Sequence, residues 1–240
     1  MNRFHSTTAA ITLLCLAGAA SAHQVWIEQA PSQNAVLRFG EFGENLREAS
    51  PGLLDKFAQP TATLLSAKGE QKADASKTGS GFVLPFKAGK GDAIVAEEAA
   101  YPINTWKQGD KEITGWYYPA ARLVTGPAAL EPRLPLDIVP TGKAGEFRVV
   151  FKGQPQAKAK VALVTRSGWA REAHSDEQGL VRFPMPWKGS YVAEASFIDR
   201  TPGERAGTRY DQVSYVTSLT YVKPDGATEL PASPAATPNK

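Results

Sequence analysis

Apolar and polar positions along this chain change over in short runs. Val36-Leu37-Arg38-Phe39, Ala62-Thr63-Leu64-Leu65, Gly81-Phe82-Val83-Leu84, Ala93-Ile94-Val95-Ala96 and Phe147-Arg148-Val149-Val150-Phe151 are brief, apolar and bounded by Gly, Pro or Lys. Such runs predict β-strands. No window keeps a helical period. In the best candidate, Glu44 to Phe57, the apolar Leu46, Leu53, Leu54 and Phe57 are interrupted by Ser50-Pro51-Gly52; proline offers no N–H inside a helix, so a short helix or ordered loop over Pro51 to Phe57 is expected. With strands recurring about every 8–12 residues, the expected class is all-β: two antiparallel immunoglobulin-like or prealbumin-like β-sandwich domains.

The second half is the most readable. The strand Phe147–Phe151 leads through Lys152-Gly153-Gln154-Pro155 to Lys160–Thr165, then Asp176-Glu177-Gln178-Gly179 turns into Leu180–Phe183, and Gly189-Ser190-Tyr191 opens the next strand. Asp176 fits an Asx turn, in which its carboxylate takes backbone hydrogens two and more residues on. Gly126-Pro127, Pro132, Pro135, Pro140 and Gly142 cluster between the two readable regions, and prolines cannot donate to a sheet ladder. After Lys223 the chain holds four Pro, four Ala and two Thr with no aromatic residue, too little to build a core. The expected organisation is a leader over 1–22, an N-terminal β-sandwich over 23–128, a C-terminal immunoglobulin-like sandwich over 129–223 and a disordered tail over 224–240.

Charge and rare residues narrow the function. A formal net charge of +3, scattered along the chain, gives no basic stripe of the kind nucleic-acid binding needs, so no nucleic-acid partner is expected. Arg3, the apolar run Ala9 to Ala19 and the small residues of Ala20-Ser21-Ala22 form a signal-peptide pattern. The run is shorter than the roughly 20 residues of a membrane span, and no later segment is apolar enough, so the mature chain is expected to be exported with no membrane span. Cys15 is the only cysteine and lies in the leader, which leaves neither a disulfide nor a thiolate metal cluster after cleavage.

Of three histidines, His5 goes with the leader and His23 and His174 remain. A cut after Ala22 makes His23 the first residue, with its α-amine beside its own imidazole. The two nitrogens can chelate one ion, and a second imidazole, His174, would complete a three-nitrogen set that favours copper. The alternation in His23-Gln24-Val25-Trp26-Ile27-Glu28 predicts a half-buried strand that would fix this end. The plain alternative is that His23 is merely the polar residue that follows a cleavage site.

Several stretches resemble one family. Ala22-His23 followed by Val25-Trp26-Ile27-Glu28, the segment Thr165-Arg166-Ser167-Gly168-Trp169-Ala170-Arg171-Glu172, Pro186-Trp187 with Gly189 and Tyr191, and Asp199-Arg200-Thr201-Pro202-Gly203-Glu204 with Tyr210 are similar to exported bacterial proteins grouped with the NikM-type component of nickel and cobalt uptake, formerly a domain of unknown function. The resemblance implies a periplasmic β-sandwich protein tied to transition-metal uptake or handling, with His at the processed end and no enzymatic activity. His174 departs from that pattern, and the membrane section of NikM proteins has no counterpart here.

Rival readings use other residues. Ser167, His174 and Asp176 lie near one another but without a Gly-x-Ser-x-Gly elbow. Glu97-Glu98, or Glu44 with Glu48, could be paired carboxylates, although such pairs are more often solvated charges. A copper-dependent oxidative enzyme would also use an amino-terminal His, but those enzymes typically carry disulfides. Tyr101, Trp106, Trp116, Tyr117 and Tyr118 gather in a hairpin over 101–118 that either plugs the core or lines a cleft for a ligand or adaptor partner. Glu98, Asp110 and Glu112 stand near it as possible oxygen ligands. The expectation carried forward is a periplasmic accessory protein, not an enzyme. It would bind a divalent transition metal ion, copper or nickel/cobalt, through His23 and His174 and serve an envelope metal transporter or outer-membrane receptor.

Overall fold

A computed structural model describes residues 23–239. Its strands are β1 (Gln24–Glu28), β2 (Val36–Glu41), β3 (Leu46–Arg47), β4 (Thr61–Ser66), β5 (Gly69–Asp74), β6 (Ser76–Thr78), β7 (Gly81–Val83), β8 (Ala93–Glu97), β9 (Ile103–Gln108) and β10 (Lys111–Val124). The second half adds β11 (Leu136–Pro140), β12 (Glu146–Phe151), β13 (Gln154–Pro155), β14 (Lys160–Thr165), β15 (Ala170–His174), β16 (Leu180–Arg182), β17 (Gly189–Asp199), β18 (Gly203–Arg205), β19 (Thr208–Tyr210) and β20 (Gln212–Lys223). The only helical turn among the described residues is the 3₁₀ turn Leu53–Lys56, inside the stretch where proline was expected to restrict helix. The protein is all-β, as the pattern predicts.

A nine-stranded sheet runs through the whole chain in the order β15-β14-β17-β20-β10-β8-β4-β5, with β9 on β10. β10 and β20 pair in parallel from Gly115↔Gln212 to Val124↔Tyr221. The sequence pattern predicts antiparallel sheets only; this one exception joins strands from the two halves, as a parallel pair needs a long crossover. The proline-rich stretch holds the connection from β10 to β11.

Alternation assigns the faces of this sheet. One face carries Val95, Ala120, Val124, Leu163, Ala193, Leu219 and Tyr221, packed with Ile138, Phe147, Val149 and Val181 of a four-stranded sheet, β11-β12-β13 with β16 on β12. Arg122 points the same way and is fully buried against Asp137 of β11, Nε to Oδ1 3.0 Å and Nη2 to Oδ2 2.5 Å.

The opposite face meets a five-stranded sheet, β1-β2-β7-β6 with β3 on β2, at the β1 edge. Val25 and Ile27 of β1 join Ile94, Ala96, Ala121 and Leu123 in one core cluster, whereas Trp26 joins Val164 and Val192 in another. Both sides of β1 therefore touch the same face, and the strand stands along it like a partition. Ser218, buried in β20, donates Oγ–H to the Val25 carbonyl at 2.6 Å, which satisfies an edge carbonyl that has no ladder partner there. The partition leaves a hydrophobic core on the β4–β8 side and an open trough on the β14–β15–β17 side.

Candidate metal site at the start of β1

His23 immediately precedes β1 and is partly buried. Its Nε2 lies 2.5 Å from Oε1 of Glu48, a fully buried carboxylate. A carboxylate can only accept, so the imidazole donates from Nε2, and this bond fixes the ring. Tyr117, on the face of β10 that the partition meets, donates its hydroxyl to the His23 carbonyl at 3.0 Å. Burial, followed by the nearby Tyr101, pushes the Tyr117 phenol far above its ordinary range, so it stays a donor. Phe39 packs on the imidazole with ring centroids 5.2 Å apart.

The other ring nitrogen, Nδ1, faces Oε1 of Glu41 across 3.5 Å. Metal–nitrogen and metal–oxygen bonds are about 2.0–2.2 Å long, so this separation suits two ligands of one ion at an angle wider than square. Glu41 also lines a cavity of about 440 Å³ in the trough, with Gln24, Phe42, Gly43 and Glu44 as one wall and Ala162, Glu172 and Glu194 on its floor. Registers Ala162↔Glu172 and Ala162↔Glu194 put both floor carboxylates on one face. Burial, then the charge of Glu41, pushes the Glu194 carboxyl up to about 7. Lys160 pairs with Glu172 at 2.7 Å. Gly43 allows the wall to meet the floor, since a Cβ there would come within 2.6 Å of Val164.

The two expected ligands are not joined. His174 ends β15, exposed, opposite Lys160; it continues the floor side of β15 by two residues but does not line the cavity. Among the described residues, no three His, Cys, Asp or Glu side chains form a ready metal cage. His23 is instead partnered by Glu48 and Glu41, with the Asn239 amide nitrogen standing 3.2 Å from Nε2. Sequence had offered Glu48 only as half of a carboxylate pair with Glu44, because its burial was invisible there. The expected cut after Ala22, and with it a free α-amine on His23, lies outside the described residues.

The other candidates resolve structurally. Asp176 accepts from the N–H of Gln178 at 3.0 Å and of Leu180 at 2.8 Å, an Asx turn. Glu98 is buried and accepts from the N–H of Gln59 and Ala100, and Glu97 accepts from Tyr118. The aromatic hairpin is divided between uses: Tyr101 and Tyr117 pack with the β4–β8 core, Tyr118 belongs to the opposite core, and Trp106 is 42% exposed, lying over Gly115. Among the described residues, no helix is long and apolar enough to cross a membrane.

These features define an all-β protein with one buried-carboxylate-anchored histidine at the head of its partition strand. The chain belongs to the DUF4198 family, described as a domain of unknown function, whose model matches residues 20–199. No curated protein and no solved structure matches it significantly.

Proposed function

We propose that this is an exported, periplasmic accessory protein that binds a divalent transition metal ion, nickel, cobalt or copper, through His23, in the manner implied by its resemblance to NikM-type uptake proteins. The observation that carries the reading is the double engagement of one imidazole: Nε2 is held by buried Glu48 at 2.5 Å, and Nδ1 faces Glu41 at 3.5 Å. When the imidazole is neutral, the electron pair on Nδ1 and the Glu41 carboxylate facing it leave a place for a cation. The α-amine released by cleavage would be the third donor, on the same residue as Nδ1. The carboxylate-lined trough beside Glu41 would draw cations toward it. His174 has no part in this set. The ion would be cargo for an envelope transporter or outer-membrane receptor rather than a catalytic centre.

The test is calorimetric titration of Cu(II), Ni(II) and Co(II) into protein whose first residue, checked by mass spectrometry, is His23. Binding should be lost in His23→Ala and weakened when one extra residue precedes His23. Tight binding that survives both changes refutes the site.

A second reading rests on Trp106. Its exposed ring, with Asn104, Trp116, Tyr117, Gln212 and Ser214, lines a cleft of about 310 Å³ that could hold a small uncharged ligand. Quenching of tryptophan fluorescence by such a ligand, absent in Trp106→Ala, would favour it.

A further inference from the structure

The segment after β20 forms no strand, yet it follows a defined path back to His23. Ala227 pairs with the 186–188 backbone, accepting from Lys188 N–H at 2.9 Å and donating to Pro186 at 2.9 Å. Farther on, Ser233 donates to the Arg166 carbonyl at 3.0 Å and Ala236 to the Asn45 carbonyl at 3.4 Å. The Asn45 side chain donates back to the Ser233 carbonyl at 2.7 Å. Asn45 has φ +52°, a left-handed conformation that Asn tolerates better than most residues, and Arg47 holds its amide oxygen.

The path ends on the candidate site. Asn239 donates its backbone N–H to Oε2 of Glu48 at 2.9 Å and its side-chain amide to Oε1 at 2.6 Å. That amide also stands 3.2 Å from Nε2 of His23. Among the described residues, two of the three hydrogens given to the buried Glu48 carboxylate come from this segment and one from His23. A buried anion needs its donors, so lifting the segment must admit water to Glu48 and set water in competition with the imidazole.

We propose that residues 231–239 are a strap that closes over the His23–Glu48 pair, pinned at Asn45 and latched by Asn239, and that access to His23 requires its release. Pro231, Pro234 and Pro238 suit such a strap, because proline restricts the free chain and lowers the entropy lost on docking. The strap rests on its own contacts; only its role in metal exchange rests on the function proposed above.

The test therefore begins without metal. Hydrogen exchange on the processed full-length protein should show the amides of Ser233, Ala236 and Asn239 protected. Carbethoxylation of the His23 imidazole by diethylpyrocarbonate should be slow relative to exposed His174 in the same molecule. Asn239→Ala and Asn45→Gly, the latter keeping the left-handed backbone, should each speed both reactions roughly tenfold, the effect of losing one or two hydrogen bonds to a charged or pinned group. Free-chain exchange across 231–239 in the unaltered protein, or a His23 reaction rate unmoved by either substitution, overturns the strap. Stopped-flow addition of Ni(II) then separates the two ideas. Faster association in the variants extends the strap to metal exchange, whereas a protected strap on a protein that takes up no metal overturns the metal reading and leaves the strap standing.

Discussion

At the scale of single residues, position in the fold decides what a carboxylate does. Glu98 caps backbone amides, Glu48 holds an imidazole, and Glu28 closes a surface network with Trp26 Nε1 at 3.0 Å, Arg38 Nε at 3.1 Å and Arg47 Nη2 at 2.5 Å. Glu48→Gln keeps the shape but not the charge; loss of an outer carboxylate behind a ligating imidazole typically weakens metal binding about 10–100-fold, and calorimetry should find a loss of that size. Burial alone would raise the Glu28 carboxyl, but the hydrogen bonds of Arg47 and Trp26 and the Arg47 and Arg38 charges hold it below its ordinary value. A carboxyl lowered in the folded state contributes stability above its unfolded pKa and loses it as pH falls through the folded one. Arg47→Ala should therefore cost about 1 kcal/mol at pH 7 and much less at pH 3, read from urea unfolding at both pH values. An equal cost at both would assign the effect to the contact of Arg47 with the Trp26 ring, 5.7 Å from its centroid.

At the scale of elements, the strands were legible and their partners were not. Runs such as Ala93–Ala96 and Phe147–Phe151 declare themselves because Val, Ile and Phe suit a pleated, buried surface. Alternation also marks Ala93 and Ile94 as facing opposite ways, but it cannot say that both faces are buried by different sheets. The pairing of β10 with β20 leaves no local trace, since the residues are distant in the chain. The site was half legible: His23 just ahead of a half-buried strand could be read, whereas Glu41, Glu48 and Asn239 gather only by pairing and by the return of a Pro/Ala segment that has no core residues to announce it. Two elements offer direct tests. Gly40 has φ +139°, and a Cβ there would meet the Leu46 carbonyl at 2.4 Å, so Gly40→Ala should cost about 2–3 kcal/mol and loosen the turn that carries Glu41 and Glu48. Arg122→Met should cost about 3–5 kcal/mol by leaving the buried Asp137 carboxylate without its counter-ion, held only by the N–H groups of Arg133 and Leu134, and the double substitution with Asp137→Leu should recover much of it; no recovery would mean the pair serves the β10–β11 packing in some other way.

At the scale of the whole molecule, the central sheet takes β4, β5, β8, β9 and β10 from the first half of the chain and β14, β15, β17 and β20 from the second. Strands that share one ladder should melt together, so calorimetry should show one transition with van't Hoff and calorimetric enthalpies in agreement; two separable transitions would contradict the shared sheet. The start of β1 is fixed by Tyr117 and Phe39 from the first half and, through the Val25 carbonyl, by Ser218 from the second. Chelation of one ion by the amine and Nδ1 of His23 is read out by electron paramagnetic resonance of Cu(II) bound to the processed protein. A single species is expected, with hyperfine structure from the amine and Nδ1 of His23, altered by ¹⁵N-histidine labelling and abolished by His23→Ala. A spectrum unchanged by that substitution would contradict it.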